Sequence, residues 1–330
     1  MVVCAAIVIM GCTSPPPAQI RAVTGIAQGT TYALQWIGGS AEPDVAAAAE
    51  RELERIDALL SNYRSDSTLE EFNAARSVAP IELPAELITL LELAKRVHAA
   101  SDGCFDPTVR PLVRAWGFDG DDPAVPTAAA VAEARAVVGL DKLELLDGTR
   151  ARKTVPQLEI DMASIGQGYT AGRLADVLEQ HGSTAYLAEI GGEIVARGTK
   201  ADGSPWRVGL ENPVDDARPS PRLRIPLQSR TAVVTSGSYR HYLDAGGRRW
   251  GHIIDPRSGQ PVDHTLLSVT VVGSDAATAA AWGTALLCLG PAAGIAAADR
   301  ERIAAVFWRE PATTFELSRA FEAEWREWLD

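Results

Sequence analysis

The sequence predicts an α+β fold, helix-rich in its first half and mainly antiparallel sheet in its second. Two strong helical periodicities fall early, at residues 43–61 and 84–100, while residues after 184 break into short strand-like runs. The turn signals Gly191-Gly192 and Gly246-Gly247 separate some of those runs as hairpins. No regular alternation of strand and helix, internal repeat or long linker points to a doubly wound sheet or an array.

Taken in order, residues 20–37 read as strand, turn, strand. In 43–61, Val45, Ala49, Leu53, Ile56 and Leu60 recur at helical spacing. Pro84 suits the first turn of the second helix, which runs to about Ala100. Residues 127–138 form an Ala-rich helix, followed by strands near 142–147 and 157–162. A helix begins after Gly166, runs to about Gln180 and closes at Gly182. Strands are expected near 184–190, 193–198, 206–211, 222–227, 231–235, 239–243, 250–254 and 266–273. The Pro-rich stretch 212–221 reads as a surface loop. Helices at 276–289 and 291–300, two strands and a terminal helix complete the chain.

With 330 residues, 46% hydrophobic and 22% charged, the chain can build a sizeable core and is not disordered. The net charge is −12 and no basic run interrupts it, which argues against a nucleic-acid groove. The only lysines are Lys95, Lys142, Lys153 and Lys200, and no Gly-rich loop ends in Lys-Ser/Thr, so a Walker-type phosphate loop is excluded. No G-x-S-x-G elbow or HExxH pattern is present.

Residues 2–10 are an apolar run too short to span a bilayer, ending at Gly11-Cys12 before Pro15-Pro16-Pro17. This looks like a lipoprotein signal peptide; an ordinary apolar tail is the alternative. The expected organisation is a leader at 1–11, lipidation at Cys12, a Pro-rich tether at 12–20 and one domain at 21–330. The protein would then be exported and held at a bacterial membrane by a lipid anchor only. Beyond the leader remain Cys104 and Cys288, with no metal spacing, and two separate thiols are expected.

Four segments concentrate polar and glycine residues. Asp161 to Tyr169 leads into a helix start, which suits an anion, although a plain strand-to-helix turn is the alternative. Ser101 to Val109 holds Asp106-Pro107, readable as a helix cap. Residues 235–240 and 251–259 gather Arg240, His252, Asp255 and Arg257, readable also as turn chemistry and surface ion pairs. Residues 275–284 form a helix capped by Ser274 or Asp275.

In this order the segments resemble the FAD:protein FMN transferases, the ApbE family, over about residues 24–310. The matching pieces are Gly29-Thr-Thr-Tyr32, Ser61 to Ser67 with Phe72-Asn73, Asp102 to Val109 with Pro111-Leu-Val and Trp116-Gly-Phe118, Asp161 to Tyr169, Gly191-Gly192, Trp206 to Gly209, Thr235 to Arg240, His252 to Pro261, and Leu267 to Val271. The resemblance implies an ApbE-like fold. It also implies FAD cleavage with Mg2+, release of AMP, and attachment of FMN through a phosphoester to a Thr or Ser of an exported or membrane flavoprotein subunit. FAD contacts would come from Gln28, Tyr63, Cys104, Phe105, Asp106, Asp161, Gln167 and Ile254. Ser164 and Thr284 would hold the metal, and Asp255 or His252 would deprotonate the acceptor hydroxyl. The leader is common in the family.

Two departures stand out. Gln167 replaces a Lys or Glu, and Ala280 stands where the family places a metal-ligating Asp. Asp275 lies more than a turn from Ala280 and is badly placed to substitute. Three activities follow: a transferase with a substituted metal site, a catalytically degenerate FAD-binding lipoprotein, or an FAD pyrophosphatase.

Overall fold

The computed structural model describes residues 19–120, 124–210, 221–226, 229–238, 242–245, 247–310 and 315–330. The expected leader, Cys12 and most of the 212–221 loop lie outside the described residues, as do Tyr239 and Arg240.

The chain opens with the hairpin β1 (Arg21–Ala27) and β2 (Thr30–Gly38). Gln28 and Gly29 form its two-residue turn, both at positive φ (52° and 72°). That backbone matches the twist of the flanking strands, and glycine takes it without strain. Helix α1 (Glu42–Leu60) follows and buries Val45, Ala49, Leu53, Ile56 and Leu60, the expected stripe. Truncating Leu53 to Ala would cost about 2–5 kcal/mol. The short α2 (Thr68–Ala74) is capped by Ser67, whose Oγ accepts from Glu70 N. After β3 (Ile81–Glu82) come α3 (Ala85–Ala100), α4 (Arg110–Ala115) and α5 (Ala128–Val137). Strands β4 (Leu143–Leu146) and β5 (Arg150–Lys153) join β3 in a small sheet.

Helix α6 (Ala163–Gln180) leads into the strands of the second half: β6 (Ser183–Ile190), β7 (Glu193–Arg197), β8 (Arg207–Gly209), β9 (Arg222–Arg224), β10 (Thr231–Gly237), β11 (Tyr242–Ala245), β12 (Arg248–Gly251), β13 (Ile254–Asp255), β14 (Gln260–Pro261) and β15 (Leu266–Gly273). Helices α7 (Ala276–Leu289) and α8 (Pro291–Glu301), strands β16 (Ala304–Arg309) and β17 (Phe315–Leu317), and α9 (Arg319–Glu324) close the chain. The main sheet runs β1-β2-β6-β7-β10-β15-β16-β17, with every ladder antiparallel.

One face of this sheet packs under α1, α6 and α7, with Trp36, Val195, Val234, Val269 and Val271 in that core. The other face carries Trp206, Val233, Val272, Trp308 and Phe321 in a second core. Strand alternation puts neighbouring residues of β7, β10 and β15 on opposite sides. Helix α7 carries no charged residue and is buried around most of its circumference. Gly168 permits its close approach to α6: a Cβ there would lie 2.4 Å from Ala276 O.

Three expectations need correction. Residues 157–162 are extended but pair with no strand. A side chain clamps them instead: Asn73 Oδ1 accepts from Ile160 N, and Asn73 Nδ2 donates to Ile160 O. Helix α6 starts at Ala163, before Gly166, because the Asp161 carboxylate accepts from Ala163 N and opens the first turn. Finally, Cys104 and Cys288 are not separate thiols; they form a disulfide across 184 positions. Their pairing depends on α7 packing against the 101–109 loop, a tertiary contact that cysteine spacing does not encode.

Candidate functional site

Three residues at four-residue spacing on α7, Ala280, Thr284 and Cys288, connect the predicted pieces. Such a spacing keeps side chains on one helix face. Ala280 lies at the closest approach of α6, where its Cβ would sit 2.7 Å from a Cβ on Gly168. Thr284 Oγ1 is 3.4 Å from Ser236 Oγ on β10. Cys288 ties α7 to Cys104.

At the α6 end, Asp161 Oδ1 accepts from Ala163 N at 2.7 Å and from Asn62 Nδ2 at 2.5 Å. Asp161 N donates to Pro107 O, so this residue joins the 61–64 and 101–109 loops to α6. Desolvation pushes the Asp161 carboxyl above its usual range; the Ala163 N and Asn62 bonds and the Arg110 charge oppose this. Tyr63, beside Asn62, is 94% exposed. An exposed ring at the rim of a polar site is free to stack on a planar ligand. Gln28 reaches the same helix from the β1–β2 turn, its Oε1 accepting from Thr170 Oγ1 at 3.1 Å. The Gln167 side chain covers the β6–β7 turn, 3.0 Å from where a Cβ on Gly191 would sit.

The 101–109 loop is committed to its own structure. Phe105 and Asp106 are buried. Asp106 Oδ1 accepts from Thr108 N and Oγ1, and its Oδ2 accepts from Leu140 N. Asp106 therefore does not cap α4, which begins four residues later with no side-chain cap. Among its predicted contacts, the Cys104 and Asp106 side chains are occupied, and Phe105 N and O are bonded to Ser101 Oγ and His98 Nδ1, so the loop is held rigidly from within.

His252 falls at the break between β12 and β13, where the ladder ends and the chain turns. Ile254 is buried beside it. Both Asp255 oxygens accept from Arg257, at 2.9 Å from Nε and 2.8 Å from Nη2. That fork-to-fork pairing holds Asp255 as a turn-shaping group. Asp255 also stands with Cys104 and Cys288 in a group whose potential ligand atoms lie within 4.8 Å of one another. The two sulfurs are bonded together, so they offer no thiolates and the trio is not a metal centre.

Sequence reasoning missed Glu193, noted only as part of a strand after a Gly-Gly turn. It begins β7 on the helix-facing side of the sheet, and its Oε2 is buried without a hydrogen-bond partner. Burial, with the nearby Glu189 charge, pushes its carboxyl up to about 8. Among the described residues of the site segments, Arg110 is paired with Glu70, Arg64 with Glu54 and Asp66, and Arg257 with Asp255. No helix among the described residues is long and apolar enough to cross a membrane.

The ApbE family profile matches residues 28–307. The chain is 37% identical to the FAD:protein FMN transferase of Salmonella typhimurium over 300 residues, covering 87% of this chain and 85% of that protein. It is 34% identical to the FAD:protein FMN transferase of Escherichia coli K12, covering 91% and 89%. The flavin transferase ApbE from Vibrio cholerae superposes with a TM-score of 0.85 at 32% identity, covering 93% of this chain and 99% of that one. The apo Pseudomonas stutzeri flavinyl transferase ApbE gives 0.84 at 36% identity, covering 93% and 97%.

Proposed function

The chain belongs to the ApbE family, and we propose that it performs the reaction its relatives are named for, as an FAD:protein FMN transferase. The observation that carries this is the match to named transferases across most of the chain and in fold. It favours transfer over a pyrophosphatase or a catalytically silent FAD binder.

In the reaction, a Thr or Ser hydroxyl of the acceptor attacks the FMN-side phosphorus of FAD. A new P–O bond forms, the bond to the bridging oxygen breaks, and AMP leaves with that oxygen. Our assignment gives the hydroxyl proton to His252, an imidazole at the break between β12 and β13 beside buried Ile254, and leaves Asp255, held by Arg257 on both oxygens, to shape the turn. Tyr63 stacks on a ring of FAD, while Gln28, Gln167 and the wall formed by Cys104, Phe105 and Asp106 line its path beside Asp161 and Ile254.

The finer points are also proposals. Arg110, Arg64 and Arg257 are each committed to carboxylates, which supports a divalent cation for the diphosphate, Mg2+ in our reading. The oxygen-rich donors at this end of α7 suit such an ion: Thr284 and Ser164 would hold it, and the orphaned Glu193 oxygen faces the same layer. When bound there, the ion would neutralise the diphosphate and stabilise charge on the departing phosphate. Export is supported by the disulfide, since such bonds persist mainly in oxidising compartments, and lipidation at Cys12 is proposed from the leader-like sequence before it. The acceptor would then be an exported or membrane flavoprotein subunit.

The test is in-gel flavin fluorescence of a Thr-containing acceptor protein after incubation with FAD, Mg2+ and this protein. A fluorescent acceptor band that survives denaturation is expected, and it should fade with His252→Ala. An acceptor that stays dark while FAD is consumed would defeat the assignment.

A further inference from the structure

We propose that Glu193 supplies the carboxylate of a divalent-cation site, completed by the Thr284 and Ser236 hydroxyls, where Ala280 leaves no donor between α6 and α7. The inference rests on the reading that this site works on a diphosphate.

The placement follows from strand alternation. Val195 belongs to the core under the helices, and Arg197 Nη1 donates to Glu179 Oε1 on α6. Residues 193, 195 and 197 therefore face the helix layer. Arg197 marks the C-terminal end of α6, so Glu193 lies toward its N-terminal end. The Gln167 side chain over Gly191 fixes the same level.

Strand β10 brings the hydroxyls there. Its last recorded pair with β7 is Val233 with Ile194, so Glu193 comes level with Val234. Val234 belongs to the helix-side core, and Ser236, two residues on, shares its face. Diagonal neighbours of this kind lie within reach of a long side chain. Ser236 Oγ is 3.4 Å from Thr284 Oγ1, and Thr284 is one turn from Ala280.

The unpartnered oxygen is what asks for a ligand. A buried acceptor without a partner costs about 1–3 kcal/mol, more if charged, and native proteins rarely leave one. The neighbouring Glu189 shows the contrast: its Oε1 accepts from Gly192 N at 2.8 Å. One carboxylate and these two hydroxyls, with Ser164, water and diphosphate oxygens filling the remaining positions, suit Mg2+. Glu193 would thus restore from β7 the charge that α7 lacks.

The experiment titrates the purified full chain with Mn2+, read by electron paramagnetic resonance, alone and with ADP as a non-transferable diphosphate. The wild type should show one specific site. Glu193→Gln should weaken it at least tenfold, and Thr284→Val severalfold, without lowering the metal-free Tm. Adding Ala280→Asp to Glu193→Gln should regain binding. Wild-type affinity in Glu193→Gln, or no specific site in the wild type under either condition, overturns the proposal. Mn2+ binding is read without turnover, so its failure leaves the transferase assignment standing. Failure of flavin transfer alone leaves the cation site standing.

Discussion

In the 101–109 loop both Asp106 oxygens have donors and Cys104 is cross-linked, so its side chains are spent on holding the loop. Across the site, at the junction of α6 with α7, Glu193 keeps a buried oxygen without a partner, and Ser236 and Thr284 meet at 3.4 Å. The two regions face one another through α7, whose Cys288 serves the first and whose Thr284 serves the second. Complete internal satisfaction marks groups that specify the fold. Incomplete satisfaction at a buried position needs an explanation, and beside the donors of this site a bound ligand supplies one.

The contrast makes graded predictions. Replacing both Cys104 and Cys288 by Ser should cost the most stability, about 4 kcal/mol, because the bond closes a very long loop. Urea unfolding of oxidised wild type against the double variant measures it, and equal midpoints would show that the cross-link adds nothing. Asp106→Ala should cost about 3 kcal/mol by stranding the donors of Thr108 and Leu140. The same assay reads that loss, and a change below about 1 kcal/mol would contradict a structural role.

Lys153 belongs to the committed framework too. It is buried, donates to Asn73 O and Ala75 O, and lies 4.7 Å from the Phe72 ring centroid. Burial, aided by Arg76, lowers its ammonium to about 8. The folded state therefore binds fewer protons than the unfolded state between about pH 8 and 10.5. Stability from this group should rise across that window, by at most about 3 kcal/mol, and Lys153→Met should flatten the rise. Unfolding midpoints from pH 7 to 11 test this; a slope unchanged in the variant would exclude Lys153 as its source.

The smallest effect on stability should come from the open side. Tyr63→Ala should change it by less than about 0.5 kcal/mol, because the ring is exposed. It should still raise KM for FAD roughly tenfold, the worth of a good ring contact. An unchanged KM would remove Tyr63 from the binding surface.

Much of this was legible in the chain itself. The α1 stripe and the α7 and α8 boundaries follow from helical spacing and caps; Asp275 accepts from Thr278 N as its position suggests. The site loops were legible as family motifs. Residues 157–162 misled because Leu158, Ile160 and Met162 alternate with polar residues as in a half-buried strand, while Ile160 bonds to the Asn73 side chain and Asp161 N to Pro107 O, which no strand pattern reveals. The disulfide was hidden because its halves meet only after α7 packs. Glu193 was hidden because a carboxylate after a Gly-Gly turn reads as surface until the sheet order places it beneath two helices.

The most direct measurement counts products. The protein is incubated with FAD, Mg2+ and an acceptor flavoprotein, AMP is quantified by chromatography, and the acceptor is weighed by mass spectrometry. The account predicts one AMP released for each FMN phosphoester gained by the acceptor. AMP released with free FMN and an acceptor of unchanged mass would contradict it.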